Sequence, residues 1–278
     1  MPFASIRSVQ IFYETFGDHG PWLALNSGGR NSHAEMAPFA KQIAEQGFRV
    51  LVHDRRNTGA SQMLFEGTDG EEEIWADDLY ELMQSLNALP AYFGGSSAGA
   101  RLSMLMRRRH PEAVKGLLLM RVTGGAFAAG RLPNMYYLQF IKAAQENGME
   151  GVCHTDWYKE RLALNPSNRD YLMSLDPKDF IAQQEYWLSK FLQGPRSPVM
   201  GMENAELAQF NLPVLIVPGN DKTHASENGI AAHQLIPGSE LYQLPTTDQD
   251  VDLIAFPLWK EFYPLLTKRF VEFMRAHP

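Results

Sequence analysis

Residues 91–103 read AYFGGSSAGARLS, and this stretch decides the fold. It begins with an apolar run typical of a buried strand, and the run from Ala100 to Arg109 has helical spacing. Between them, Gly95, Ser97 and Gly99 form the pattern G-x-S-x-G, in which a strand turns sharply into a helix and strains the central serine. Small neighbours permit that turn, and the helix N-terminus favours negative charge developing beside it. The pattern therefore predicts a nucleophile elbow that exposes the Ser97 hydroxyl.

Outward from the elbow, apolar runs alternate with segments of helical periodicity. Strands are predicted at 8–14, 22–26, 48–52, 91–94, 114–120, 212–218 and 240–244, and helices at 34–46, 72–86, 226–235 and 259–276. This alternation implies crossover connections, and hence an α/β protein with a mostly parallel sheet flanked by helices. Residues 126–206 break the rhythm with aromatic, helix-like stretches. We interpret them as a helical insertion into a core formed by 1–125 and 207–278.

The composition is that of an ordinary globular protein. The chain has 278 residues, of which 45% are hydrophobic and 21% charged, and its net charge of −7 argues against nucleic acid as a partner. Cys153 is the one cysteine, which excludes an intrachain disulfide and a zinc site built from cysteines. No apolar run approaches the length of a membrane span, and the first residues lack a secretory h-region. We expect a cytoplasmic protein with no membrane partner, and a homodimer stays open.

The order of the motifs resembles the α/β-hydrolase superfamily. Residues 25–29 (LNSGG) lie where that family has a strand followed by its oxyanion loop. Residues 54–61 (DRRNTGAS) are similar to its D-x-R-G-x-G-x-S turn, with Asn57 in place of a glycine, and residues 218–221 (PGND) resemble the loop that carries its acid. The resemblance covers the chain outside the insertion, which would be a helical cap. It implies an α/β-hydrolase fold and hydrolysis of a small ester, a lactone or a carbon–carbon bond.

The resemblance also implies roles for individual residues. Ser97 would be the nucleophile, the backbone N–H groups of Gly29 and Ala98 the oxyanion hole, and Asp221 the acid. The family's histidine follows the last strand, but residues 244–252 (LPTTDQDVD) contain none. His224 lies three residues after Asp221 and is the candidate base, although nothing in its position requires its ring to reach Ser97.

Other groups stay open as the base. His33 and His53 lie near the predicted edge of the sheet. Asp248 and Asp250 occupy the place of the absent histidine, and a carboxylate there could act as a base if burial raised its pKa. A solvated acidic loop is the simpler interpretation of these two residues.

Four side chains are candidates for binding the substrate. Arg30 and Arg121 follow strand ends, where a guanidinium could bind a substrate carboxylate through two hydrogen bonds or form a structural ion pair instead. Tyr137 and Trp187 belong to aromatic stripes that could line an apolar pocket or pack the cap onto the core. The expected partner is a small-molecule substrate, and a substrate that carries a carboxylate is one possibility that stays open. The sequence has no metal-ligand cluster and no phosphate-binding loop, so no cofactor is expected.

Three functions fit these observations. The first is a serine hydrolase with a non-standard base, which the elbow and the Gly-Gly loop favour. The second is a cofactor-free lyase or decarboxylase on the same fold. The third is an inactive homologue that only binds a ligand. The absent histidine favours the second and the third.

Overall fold

The computed structural model describes residues 3–278, which fold around one sheet of eight strands. The strands are β1 (Phe3–Ile6), β2 (Val9–Phe16), β3 (Trp22–Asn26), β4 (Arg49–His53), β5 (Ala91–Ser96), β6 (Val114–Met120), β7 (Val214–Val217) and β8 (Glu240–Leu241). They lie in the order β1-β2-β4-β3-β5-β6-β7-β8. The pairings β1–β2 and β2–β4 are antiparallel, and all the others are parallel. The predicted mostly parallel sheet is thus confirmed. The short strand β1 was not predicted, because four residues show too little alternation.

Helices cover both faces of this sheet. They are α1 (Ala37–Ala44), α2 (Glu71–Ser85), α3 (Ala98–Arg109), α4 (Gly125–Pro133), α5 (Gln139–Cys153), α6 (Asp156–Leu164), α7 (Ser167–Ser174), α8 (Pro177–Phe191), α9 (Asn204–Leu207), α10 (Ser226–Leu235) and α11 (Tyr263–Ala276). Buried side chains of α2, α3 and α10 pack on one face, and those of α1 and α11 pack on the other. Burial on both sides explains why β5, β6 and β7 are apolar almost throughout. Within residues 3–278, no helix is long and apolar enough to cross a bilayer.

Two segments predicted to be helical begin as 3-10 helix rather than as α-helix. The segment 34–46 starts with a 3-10 turn at His33–Glu35 and then continues as α1. The segment 259–276 is a 3-10 helix over Phe256–Phe262 before α11 begins. Pro264 is the second residue of α11, a position that suits proline because the first turn of a helix needs no N–H donor there.

The helices α4 to α9 lie between β6 and β7, close to the expected insertion at 126–206. The buried side chains of α4 to α8 form a third apolar cluster, which also includes Met63, Phe65 and Ile74 from the core, whereas Leu207 of α9 packs with α2, α3 and α10. The guanidinium of Arg161 on α6 donates to the backbone oxygens of Arg30, at 2.6 Å, and of Asn57, at 3.1 Å. These contacts attach the insertion to the loops that follow β3 and β4.

Candidate active site

The turn from β5 into α3 places Ser97 at the wall of a cavity. Ser97 has φ 59° and ψ −118°, a conformation that side chains rarely adopt. Gly95 and Gly99 allow the turn because they have no side chain to keep strand β3 at a distance. A Cβ at Gly95 or at Gly99 would lie 2.4 Å or 2.1 Å from the backbone oxygen of Asn26. The two glycines therefore fix the elbow against β3.

A histidine contacts Ser97. The Nε2 atom of His224 lies 2.7 Å from the Ser97 Oγ, and its Nδ1 lies 2.9 Å from Oδ1 of Asp221. Because a carboxylate only accepts hydrogen bonds, Nδ1 carries the ring proton and Nε2 accepts from the serine hydroxyl. The three side chains have the geometry of a nucleophile, a base and an orienting acid.

His224 and Asp221 share the short loop between β7 and α10. The backbone N–H of His224 donates to Oδ1 of Asp221 at 2.8 Å, so the carboxylate holds both the main chain and the ring. Gly219 permits this tight loop, since a Cβ there would lie 2.4 Å from the Cβ of His224. The compact loop is why a histidine three residues from its acid reaches the elbow.

The segment that was expected to carry the histidine supports Asp221 instead. The backbone N–H of Ile254 donates to Oδ2 of Asp221 at 3.0 Å. The guanidinium of Arg121 donates to the same oxygen at 2.7 Å and to the carbonyl of Ile254. Burial opposes the charge on Asp221, but the bond to His224, the charge of Arg121 and the Ile254 N–H together hold its pKa below the usual range. Asp221 therefore stays ionised beside the imidazole.

The backbone N–H groups of Gly29, which lines the cavity, and of Ala98, which follows Ser97, have no hydrogen-bond partner among residues 3–278. Ala98 opens α3, and the first amides of a helix have no partner within it. The N–H of Gly28 is occupied, since it donates to Glu35 at 2.7 Å, and Glu35 also accepts from the side chain of Asn31 at 2.7 Å. Glu35 thus holds the loop that presents the Gly29 amide.

The cavity has a volume of about 130 Å³. Its apolar wall comes mainly from the insertion, through Leu132, Met135, Tyr136 and Trp157, and from the segment 253–256. Three charged side chains also line it: Glu35, Arg121 and Arg131. In the part of the chain that the structure describes, no three His, Cys, Asp or Glu side chains are grouped so as to hold a metal ion.

A family model described as the alpha/beta hydrolase fold matches residues 21–146. The chain has the α/β-hydrolase fold, and residues 21–146 are similar to the family itself. It is 23% identical over 256 residues to the non-heme chloroperoxidase CPO-A1 of Kitasatospora aureofaciens, and the match covers 87% of this chain and 89% of that protein. The enol-lactonase from Burkholderia xenovorans LB400 has a similar structure, with a TM-score of 0.64, 18% identity, and coverage of 99% of this chain and 100% of that one. A thermophilic esterase from Thermogutta terrifontis gives a TM-score of 0.67 and 19% identity, with 100% and 99% covered.

The turn at 54–61 follows the expected pattern. Asn57, which stands in place of a glycine, has φ 65°. Asparagine tolerates this left-handed conformation better than most residues. A Cβ at Gly59 would lie 2.1 Å from the carboxylate of Asp54, so the glycine of the motif is needed for space.

Three predicted substrate-binding residues do not reach the cavity, and this corrects the expectation. Arg30 is buried in an ion pair with Glu71, and the hydroxyl of Tyr137 donates to the same carboxylate at 3.2 Å. Trp187 is fully buried in the apolar cluster of the insertion. Glu71 provides the hydrogen-bond acceptor for Arg30 and Tyr137, and the helices of the insertion enclose Trp187.

Arg121 lines the cavity, but Asp221 and Ile254 already occupy its guanidinium. The alternative of a structural ion pair is therefore what the structure shows for Arg121. These contacts use Nη2, whereas no partner among the described residues is found for Nε or Nη1, so what argues against a substrate carboxylate here is that Asp221 already neutralises the charge of Arg121.

None of the other candidate bases contacts Ser97. Asp248 accepts from the Ser226 hydroxyl, and Asp250 pairs with Lys222, both at the surface. His33 pairs with Asp54 at 2.9 Å. His53 is buried, and neither of its ring nitrogens has a partner among the described residues. Of the candidates named from the sequence, His224 is the one beside the nucleophile.

Sequence reasoning missed Thr123. Its Oγ1 lies 3.2 Å from the Ser97 Oγ, three residues beyond the end of β6. Because Ser97 donates to His224, the Thr123 hydroxyl is the donor in this contact. No motif marks the residue, since its role depends on how β6 lies beside β5.

Proposed function

We propose that this α/β-hydrolase cleaves a small ester or lactone, with Ser97 as nucleophile and His224 as base. The observation that carries the proposal is the hydrogen-bonded chain from Ser97 through His224 to Asp221, with distances of 2.7 Å and 2.9 Å. The names of two proteins of similar structure, an enol-lactonase and an esterase, support this reaction class. The cavity of about 130 Å³ supports a small substrate.

The proposed reaction has two halves. The Ser97 Oγ attacks the substrate carbonyl carbon while its proton passes to Nε2 of His224. The carbonyl oxygen becomes negative and is bound by the N–H groups of Gly29 and Ala98. The alcohol then leaves with the proton from His224, and an acyl group stays on Ser97. In the second half, water gives a proton to His224 and attacks the acyl carbon. The bond between that carbon and the Ser97 Oγ then breaks, His224 returns the proton to Oγ, and the acid is released.

The two other functions lose their main support. A lyase and an inactive binding protein were favoured because no histidine follows the last strand. His224 at 2.7 Å from the Ser97 Oγ supplies the missing base from another loop. Cleavage of a carbon–carbon bond next to a carbonyl would use the same nucleophile, but no observation favours it over the ester or lactone.

Labelling with a serine-directed phosphonate tests the proposal. We expect one covalent adduct, located on Ser97 by peptide mass mapping, because the neutral imidazole activates this hydroxyl. His224→Ala should slow labelling and reduce ester hydrolysis by about 10⁴-fold or more. Ser97→Ala should give no adduct.

Ser96→Ala is the matched control. Ser96 is adjacent and buried, but its hydroxyl has no partner among the described residues, so this variant should still be labelled. A folded wild-type protein that forms no adduct at Ser97 contradicts the proposal. Ester turnover that persists in Ser97→Ala contradicts it equally and points to lyase-type chemistry.

A further inference from the structure

The cavity holds one cation that no acid neutralises. Arg131 lies near the end of α4, is half-buried, and lines the cavity together with Ser97 and His224. Its guanidinium donates to the hydroxyl of Thr223 at 3.2 Å and has no acidic partner among residues 3–278. The other cation of the cavity, Arg121, is neutralised by Asp221 at 2.7 Å. A partly desolvated guanidinium without a counter-ion gains most when an anion binds beside it.

The position of Arg131 is fixed relative to the reacting groups. Thr223 precedes His224 in the chain, and its hydroxyl donates to the carbonyl of Asp252 while it accepts from Arg131. The guanidinium is therefore anchored next to the base by a residue that is itself buried. An anion bound there would lie beside the nucleophile rather than at a distant surface.

The carboxylate of Glu35 lines another part of the same cavity. Glu35 lies on the loop that presents the Gly29 amide, and two N–H donors hold it, the backbone of Gly28 and the side chain of Asn31. Its negative charge repels an anionic group near the oxyanion loop, whereas Arg131 attracts one at the insertion. The cavity is thus electrostatically polarised, and an anionic substrate would bind in one orientation.

We propose that Arg131 is a specificity residue that binds a carboxylate of the substrate, so that the preferred ester or lactone carries a free carboxylate. This inference rests on the proposed hydrolysis by Ser97. Arg131 takes the role that the sequence assigned to Arg30 and Arg121, whose guanidinium groups are paired with Glu71 and Asp221.

Matched pairs of substrates test the inference: short esters with a terminal carboxylate, each compared with its neutral methyl ester. We expect wild-type kcat/KM to favour the charged member by about tenfold or more, mainly through KM. Arg131→Met should remove the preference, because kcat/KM should fall much more for the charged ester than for the neutral one, and Arg131→Lys should restore part of the preference. Arg196→Met is the control, because Arg196 is an exposed arginine of the insertion outside the cavity lining.

Protection from the phosphonate gives a second readout that needs no substrate. Butyrate should slow labelling of Ser97 in the wild type and much less in Arg131→Met, and butyramide should act alike on both. Equal effects of Arg131→Met on charged and neutral esters, or no preference in the wild type, overturn the inference but leave the proposed hydrolysis intact. Hydrolysis of neither ester, with no adduct on Ser97, overturns the proposed function itself.

Discussion

His224 is a weaker base than a histidine in water, because of where the fold puts it. Burial and then the positive charge of Arg121 lower its pKa to about 4, and the hydrogen bond that its ring donates to Asp221 only partly offsets them. A ring with this pKa is neutral at pH 7 and is ready to accept the proton of Ser97. The same charge on Arg121 holds Asp221 in place, so one guanidinium both orients the acid and weakens the base.

The pH dependence of catalysis should show this weak base. The reaction needs neutral His224, so kcat/KM should be constant above about pH 5 and fall below it, with an apparent pKa near 4. Arg121→Met removes a charge that lowers this pKa, so its acid limb should move towards 6.5. Profiles of kcat/KM measured on both proteins check this. A wild-type acid limb near pH 6.5 would contradict the described environment of His224.

The strand–turn–helix unit of β5 and α3 depends on backbone approach as well as on local conformation. Gly95 and Gly99 face the backbone oxygen of Asn26 on β3, and the side chain of Asn26 donates to the carbonyl of Gly94 at 3.1 Å. The hydrophobic periodicity of the strand and the helix, together with the small residues between them, was enough to predict the turn around Ser97. The reason for a glycine at each flanking position is a contact with a strand about seventy residues earlier in the chain.

Substitution of Gly99 should therefore destabilise the unit. A Cβ there would lie 2.1 Å from the Asn26 oxygen, so β3 or α3 must move, and we expect Gly99→Ala to lower the free energy of unfolding by about 3 kcal/mol. Gly130 on α4 has nothing within 4 Å of its added Cβ. Gly130→Ala is the control and should raise the free energy of unfolding by about 0.5–1 kcal/mol, because alanine favours helix. Urea denaturation measures both free energies of unfolding. Equal stability of the two variants would contradict the close contact between Gly99 and β3.

At the scale of the whole molecule, buried histidines make stability depend on pH. His53 is 4% exposed at the end of β4, and its ring nitrogens have no partner in residues 3–278. Burial, followed by the charge of Arg55, lowers its pKa to about 3, while nearby Asp54 acts in the opposite direction. The folded protein thus resists protonation at His53 and His224, whereas the unfolded chain takes up those protons from about pH 6.5 downwards.

The free energy of unfolding should fall as the pH is lowered from about 6.5 towards 3. His53→Leu should be about as stable as the wild type at pH 7, because the ring makes no hydrogen bond that the change would break. At pH 4 the variant should be more stable than the wild type by up to about 3 kcal/mol, since it no longer has this proton linkage. Urea denaturation at pH 7, 5.5 and 4 checks this, and parallel losses in both proteins would refute it.

The sequence by itself determined the fold and singled out Ser97 as the candidate nucleophile. Three features can be read from local patterns: the elbow at Ser97, the turn at 54–61 and the alternation of strands and helices. Backbone sterics and hydrophobic periodicity depend on neighbouring residues in the chain, so they specify these features without knowledge of the tertiary structure. Only the tertiary structure decided which side chains meet. It brought His224 to Ser97 across more than a hundred residues, and it paired Arg30 with Glu71 and Arg121 with Asp221. It left Arg131 without an acidic partner among residues 3–278. Pairings of this kind follow from how strands and loops lie side by side, and no local pattern of residues specifies them.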